Sequence, residues 1–175
     1  MSTPVSMQAI ERTTESLSYF LKTATYARSG ASSYSVNTLL NNFSGLKIQL
    51  GWPDNLDALD LPTLALVYNS KDNIQEGYGN HLDSSVLDYS LFGFVGRQES
   101  HGDNLKLRDK LNQDTESLIE GSDYINLYEA PDFSTTAGDI AVMEVVSSPL
   151  PPSDEAVEAR YQFVIDFKVE YMKKI

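Results

Sequence analysis

Near the start of the chain, apolar residues recur every three to four positions. Met7, Ile10, Thr14, Leu17, Leu21 and Ala24 fall on one helical stripe, and Glu11, Arg12, Glu15 and Lys22 fall off it. Thr3-Pro4 reads as an N-cap followed by proline at the first helical position. The spacing predicts a helix over about 4–26, closed near Gly30. Its stripe is narrow, with Thr14 in the middle, so the helix should lie on a neighbour rather than deep in a core. Ser29 to Ser35 is a small-polar linker, and Val36, Leu39, Leu40 and Phe43 give one further helical turn.

The period then shortens. Leu46, Ile48 and Leu50 alternate with Lys47 and Gln49 until Gly51-Trp52-Pro53. Thr63 to Tyr68 carries little polarity, as expected of a strand buried on both faces, and Val86 to Val95 is a second apolar run. Ser100 caps a helix predicted over about 101–120, with Leu107, Leu111 and Leu118 on one face and Gly121 at the C-terminal position. Short strands follow at Tyr124–Tyr128 and Ile140–Val146. From Tyr161 to Tyr171 the alternation is unbroken, placing Phe163, Ile165 and Phe167 on a core face. Asn69–Ser85 and the Pro-rich Ser147–Ala159 read as long exposed loops. The order of elements gives an α+β fold: a mostly antiparallel sheet flanked by an N-terminal helix and a mid-chain helix, as a single domain over 1–175.

Composition narrows the function. The 175 residues carry a formal net charge of −12, which argues against a nucleic-acid coat, because phosphate binding rests on clustered Lys and Arg. There is no cysteine, so disulfides and Cys-ligated metals are excluded. The apolar runs are too short to span a membrane, and the first residues lack a secretory pattern.

The candidate chemistry is sparse. His81 and His101 lie in polar segments with no partner spaced for general acid–base work, and His101-Gly102-Asp103 sits at a helix start, where Asp also serves the dipole. Asp54, Asp57 and Asp60 step by three, and His81 precedes Asp83, but neither set fits a Ca²⁺ loop. Gly77-Tyr78-Gly79 lacks the rest of a phosphate cradle. Lys106, Arg108 and Lys110 cluster beside Asp103, Asp109 and Asp114, which reads as a salt-bridged face. No catalytic, cofactor-binding or metal-ligating residue is assigned. Long loops and an amphipathic helix that needs a neighbour point to an assembly protein.

Leu61-Pro62-Thr63-Leu64-Ala65-Leu66-Val67-Tyr68, a proline followed by a buried strand, comes after the leading amphipathic helix. Tyr89-Ser90-Leu91-Phe92-Gly93-Phe94-Val95 then runs into a helix with Leu107 and Leu111 at a four-residue spacing, and the strand from Arg160 to Tyr171 ends the pattern. Over about 5–172 this order of elements resembles the tail terminator and neck proteins of tailed bacteriophages.

The resemblance implies a structural virion protein of the tail or neck, assembled in the host cytoplasm, with no enzymatic activity and no cofactor. Six copies would form a hexameric ring capping the tail tube protein and meeting a head-side connector or stopper protein. Sheath protein would be a further partner if the tail contracts. DNA would pass through the lumen without specific binding. Such a ring repeats one heterologous contact, and its acidic surface would repel DNA. The residues offered for that surface are Asp54, Asp57 and Asp60, Asp72 and Glu76, and Asp154, Glu155 and Glu158. Two alternatives stay open: another neck ring protein (a stopper or head-completion protein), or a small acidic enzyme or ligand-binding domain.

Overall fold

The computed structural model of the protein describes residues 9–27, 36–55, 60–72, 84–96, 101–129, 131–150 and 161–173. The fold is α+β, with a mostly antiparallel sheet and the expected N-terminal and mid-chain helices. Its elements are α1 (Ala9–Thr23), β1 (Thr25–Tyr26), β2 (Asn37–Thr38), α2 (Leu39–Asn42), β3 (Lys47–Leu50), β4 (Thr63–Asp72), β5 (Ser84–Phe94), α3 (His101–Glu120), β6 (Tyr124–Tyr128), β7 (Thr136–Leu150) and β8 (Gln162–Lys173). The main sheet has the order β3-β4-β5-β8-β7-β6. Only β3 and β4 run parallel.

The final strand behaves as its alternation requires. Tyr161, Phe163, Ile165, Phe167, Val169 and Tyr171 are all buried. Tyr89 lies opposite Phe167 in register, and their rings stack with centroids 5.8 Å apart. The α1 residue Thr14 sits 2.8 Å from the Tyr89 hydroxyl. The α3 residue Glu116 accepts a hydrogen bond from Ser147, which lies opposite Ile165. Since Ile165 and Phe167 share a face of β8, α1 and α3 lie on the same side of the sheet. α1 touches both outermost strands, β3 and β6, so the sheet curls around it.

α1 corrects the sequence reading in one respect. Leu17 and Leu21 are buried as the stripe predicts, but so are Arg12, Thr13, Ser16 and Ser18. The seat of the helix is therefore deep, wide and polar. The reason lies in what the sheet presents: Arg12 donates to the Tyr171 hydroxyl at 3.0 Å, and Ser16 accepts from the Tyr128 backbone N–H at 3.0 Å. A count of apolar positions misses such a face, because hydrogen bonds rather than area hold it. The proposed cap at Thr3-Pro4 and the Ser29–Ser35 linker lie outside the described residues.

Two strands outrun their predicted ends. β4 continues to Asp72 because a bulge at Asn69 absorbs one residue, after which Ser70, Lys71 and Asp72 pair with Asp88, Leu87 and Val86. β7 continues through Pro149, which lies opposite Phe163. The predicted loops 69–85 and 147–159 accordingly begin as strand. What is left of them, 73–83 and 151–159, lies outside the described residues.

α3 begins and ends where its capping residues predict. Gly121 follows the last residue of α3, as its position in the sequence predicts, with a φ that is not positive. A Cβ at position 121 would lie 2.8 Å from the Ser117 carbonyl oxygen, which accepts the Gly121 N–H.

Candidate functional site

The residues singled out in the sequence do not converge. His101 is the first residue of α3, while His81, Asp83, Gly77, Gly79, Asp57, Glu76, Asp154, Glu155 and Glu158 lie outside the described residues. Asp54 is exposed. Asp60 is bound to Lys47, whose Nζ donates to its carboxylate at 2.5 Å. That hydrogen bond and the ammonium charge hold the Asp60 carboxyl below its ordinary pKa. Among the described residues, no three His, Asp or Glu side chains gather as metal ligands.

The basic cluster on α3 is partly ion-paired, as its spacing suggests. Arg108 contacts Asp109 through Nη2 at 2.9 Å and Nε at 3.0 Å. Lys110 instead stands over the Phe43 ring, 5.9 Å from its centroid. Asp114 is buried and accepts from the Tyr26 hydroxyl at 2.7 Å, tying α3 to β1. Beside Lys110 opens a cleft of about 500 Å³, lined by Phe43, Pro62, Val95 and Leu107. Asn42 and Ser44 add polar walls, and Lys110 is the one cation among the described lining residues, a mixed lining open to a small anionic molecule.

The larger feature is the side of the sheet that faces away from α1 and α3. In β8 it carries Val164, Asp166, Lys168 and Glu170, none of them buried. Asn69 Nδ2 donates to Ser90 Oγ at 2.7 Å, and Ser90 donates to Asp166 at 2.5 Å. This chain of contacts pins the β4 bulge to β5 and β8. Lys168 lies 3.7 Å from Glu144. Trp52 stands edge-on to Phe92 and Phe94, with centroids 4.9 and 5.7 Å away, and remains 51% exposed. Met143 (49%) and Val146 (60%) are exposed on β7, and Tyr124 (66%) on β6. These exposed apolar groups stand among the acidic residues Glu144, Asp166 and Glu170 on that side of the sheet.

Sequence reasoning passed over Trp52, taken only as part of a strand terminator, and the outward residues of β7. The signal was present: Val142, Met143, Val145 and Val146 are apolar at both parities, which a strand covered on one face does not need.

None of the described helices is long and apolar enough to cross a membrane. Comparison of the sequence with protein-family models gives no match, and comparison with curated proteins gives none either.

Proposed function

We propose that the protein is a structural subunit of the neck of a tailed bacteriophage, a tail terminator whose six copies close into a ring on the tail tube. One observation carries this reading. Both long helices lie on one side of a curled, mostly antiparallel sheet, and no described helix covers the other side, where Trp52, Tyr124 and Val146 are exposed among acidic residues. The α+β architecture is the one that the order of elements leads one to expect, and the exposed apolar residues on the uncovered face support a contact between subunits. The ring would bind the tube protein on one rim and a connector or stopper protein on the other, with sheath as an added partner on a contractile tail. It would act in the virion after assembly in the host cytoplasm, with no catalysis and no cofactor. Its net negative charge would let DNA slide through the lumen.

The test is the mass and shape of the purified protein. Light scattering should give six times the 19.5 kDa chain mass, and negative-stain images should show an annulus. A protein that stays monomeric at the highest soluble concentration overturns the proposal.

The cleft beside Lys110 supports a second reading, a binding domain for a small anionic ligand. A monomer whose Lys110 resonances shift on titration with aromatic carboxylates would favour that reading over the ring.

A further inference from the structure

Among the described residues, the main sheet has two incompletely covered margins, at opposite flanks. On one flank, β3 pairs with only Thr63–Leu66 of β4, and Gly51 N–H closes that stretch by donating to the Leu66 carbonyl at 2.8 Å. Gly51 has φ +80 and turns the chain away. Beyond it, no described residue pairs with the outer margin of Val67–Asp72. On the other flank, β6 pairs with β7 only as far as Ala141, and Val142 N–H reaches the Asp123 carbonyl at 3.4 Å. From Met143 to Leu150 no described strand lies on the side away from β8.

The two margins are matched. Val67–Asp72 adjoins the part of β5 paired with the Asp166–Glu170 end of β8, whereas Val145–Leu150 pairs with Phe167–Gln162. They therefore occupy diagonally opposite corners. On a chain of net charge −12, Val145–Leu150 carries no charge at all. The only charge between Met143 and Leu150 is Glu144, and the β4 margin carries an exposed Lys71 followed by Asp72, so it is neutral overall.

The backbone pattern also fixes where a partner strand can bind. Leu66 points its carbonyl outward to Gly51, so Tyr68, two residues on, points its N–H and carbonyl the same way. In β7, Val142 points outward to Asp123, and the bulge sets Met143 and Glu144 together against Lys168. The next outward groups are those of Val145 and Ser147. Pro149 then falls at the outward position, where a missing N–H is tolerated. Bulge and proline are devices that stop an edge from pairing with arbitrary strands. Here they bracket Val145–Ser148 and leave one short, uncharged stretch with a defined register.

From this we infer that the β4 margin of one copy pairs with the β7 margin of the next, joining sheet to sheet around the assembly. The occupant is a second copy because both halves of the contact are present on each chain, on opposite flanks, and contacts between unlike patches are what close a ring. The added strand pairing resembles peptide capture at a sheet edge. The inference rests on the ring proposed above and names the contact that builds it.

The native chain has no cysteine, so disulfide trapping gives a clean readout. Ser70→Cys is combined in turn with Val146→Cys and with Ser148→Cys; all three positions are exposed on the open side of the sheet. Each protein is oxidised with copper-phenanthroline and run on a non-reducing gel, with circular dichroism confirming the fold and light scattering giving the mass before oxidation. At least one double variant should lose its monomer band to a ladder ending at six, while each single variant stays monomeric on the gel. A hexamer by light scattering that yields no ladder overturns the edge contact and leaves the ring standing. A ladder ending at another number supports the edge contact and overturns the sixfold ring. A dimer from Val146→Cys or Ser148→Cys alone means that β7 pairs with itself, which overturns the head-to-tail arrangement.

Discussion

The ring of Phe163 fills the space in which a side chain at Gly93 would stand. A Cβ at position 93 would lie 2.1 Å from that ring, and the two residues face each other directly between β5 and β8. Gly93→Ala forces either the ring or the strand to move, which should cost roughly 1–3 kcal/mol by urea denaturation. Phe163→Leu should relieve the clash, so the double variant should lose less than the sum of the singles. Additive losses would show that the ring yields without strain.

Phe167 stacks on Tyr89 beneath α1 and is buried. Phe167→Ala removes that packing and leaves a void, for an expected loss of roughly 3–5 kcal/mol. A loss below about 1 kcal/mol would show that the site collapses around the smaller residue.

The Tyr89 hydroxyl is a donor. Thr14 gives its own hydrogen to the Ile10 carbonyl at 2.8 Å, so in the 2.8 Å contact between the two hydroxyls the hydrogen comes from Tyr89. Burial pushes the Tyr89 pKa well above its ordinary value of 10.0. A raised folded-state pKa stabilises the neutral phenol, and that contribution is complete below the unfolded value. It is lost as pH rises above 10 toward the folded value. Stability should therefore fall above pH 10, and less steeply in Tyr89→Phe. Equal slopes in the two proteins would assign the alkaline loss to other groups.

Tyr171→Phe withdraws the acceptor of the Arg12 hydrogen bond at a buried site. The expected loss is about 1–3 kcal/mol, measured by thermal or urea unfolding. It should exceed the effect of Lys47→Gln, which breaks an exposed pair with Asp60. Lys47→Gln should instead be visible in the NMR titration of Asp60, whose pKa should rise toward its ordinary value. An unmoved Asp60 would show that the backbone, not Lys47, sets its acidity.

Much of this architecture is legible in the chain. The strand from Tyr161 to Tyr171, the run at Thr63–Tyr68 and the helix opening after Ser100 all carry periodicity or caps strong enough to place them. The extensions of β4 and β7 are different. Ser70, Lys71, Ser147 and Ser148 are polar, and they are strand because a neighbour in register pairs with them, a relation that no local pattern encodes. Arg12 and Ser16 were hidden for the opposite reason: their partners, Tyr171 and the Tyr128 N–H, lie more than a hundred residues away. At the open surface, the exposed apolar residues of β7 were visible as a break in alternation, whereas the role of Trp52 depends on Phe92 and Phe94 meeting it from two strands further into the sheet.

The polar seat of α1 has a consequence for the order in which the chain can fold. The helix leaves the ribosome before the sheet, and Arg12 and its acceptor on Tyr171 are separated by 159 positions. While those 159 residues are made, the Arg12 guanidinium lacks its Tyr171 acceptor. Tyr89 of β5 and the Tyr128 N–H of β6 come earlier, and the seat is completed when β8 brings Tyr171. Contacts this distant in sequence slow folding, and a nascent chain waiting for them exposes its unpaired strands. The hydroxyls and the guanidinium that line the helix keep its waiting face compatible with water, where a leucine-rich face of the same width would have invited premature association.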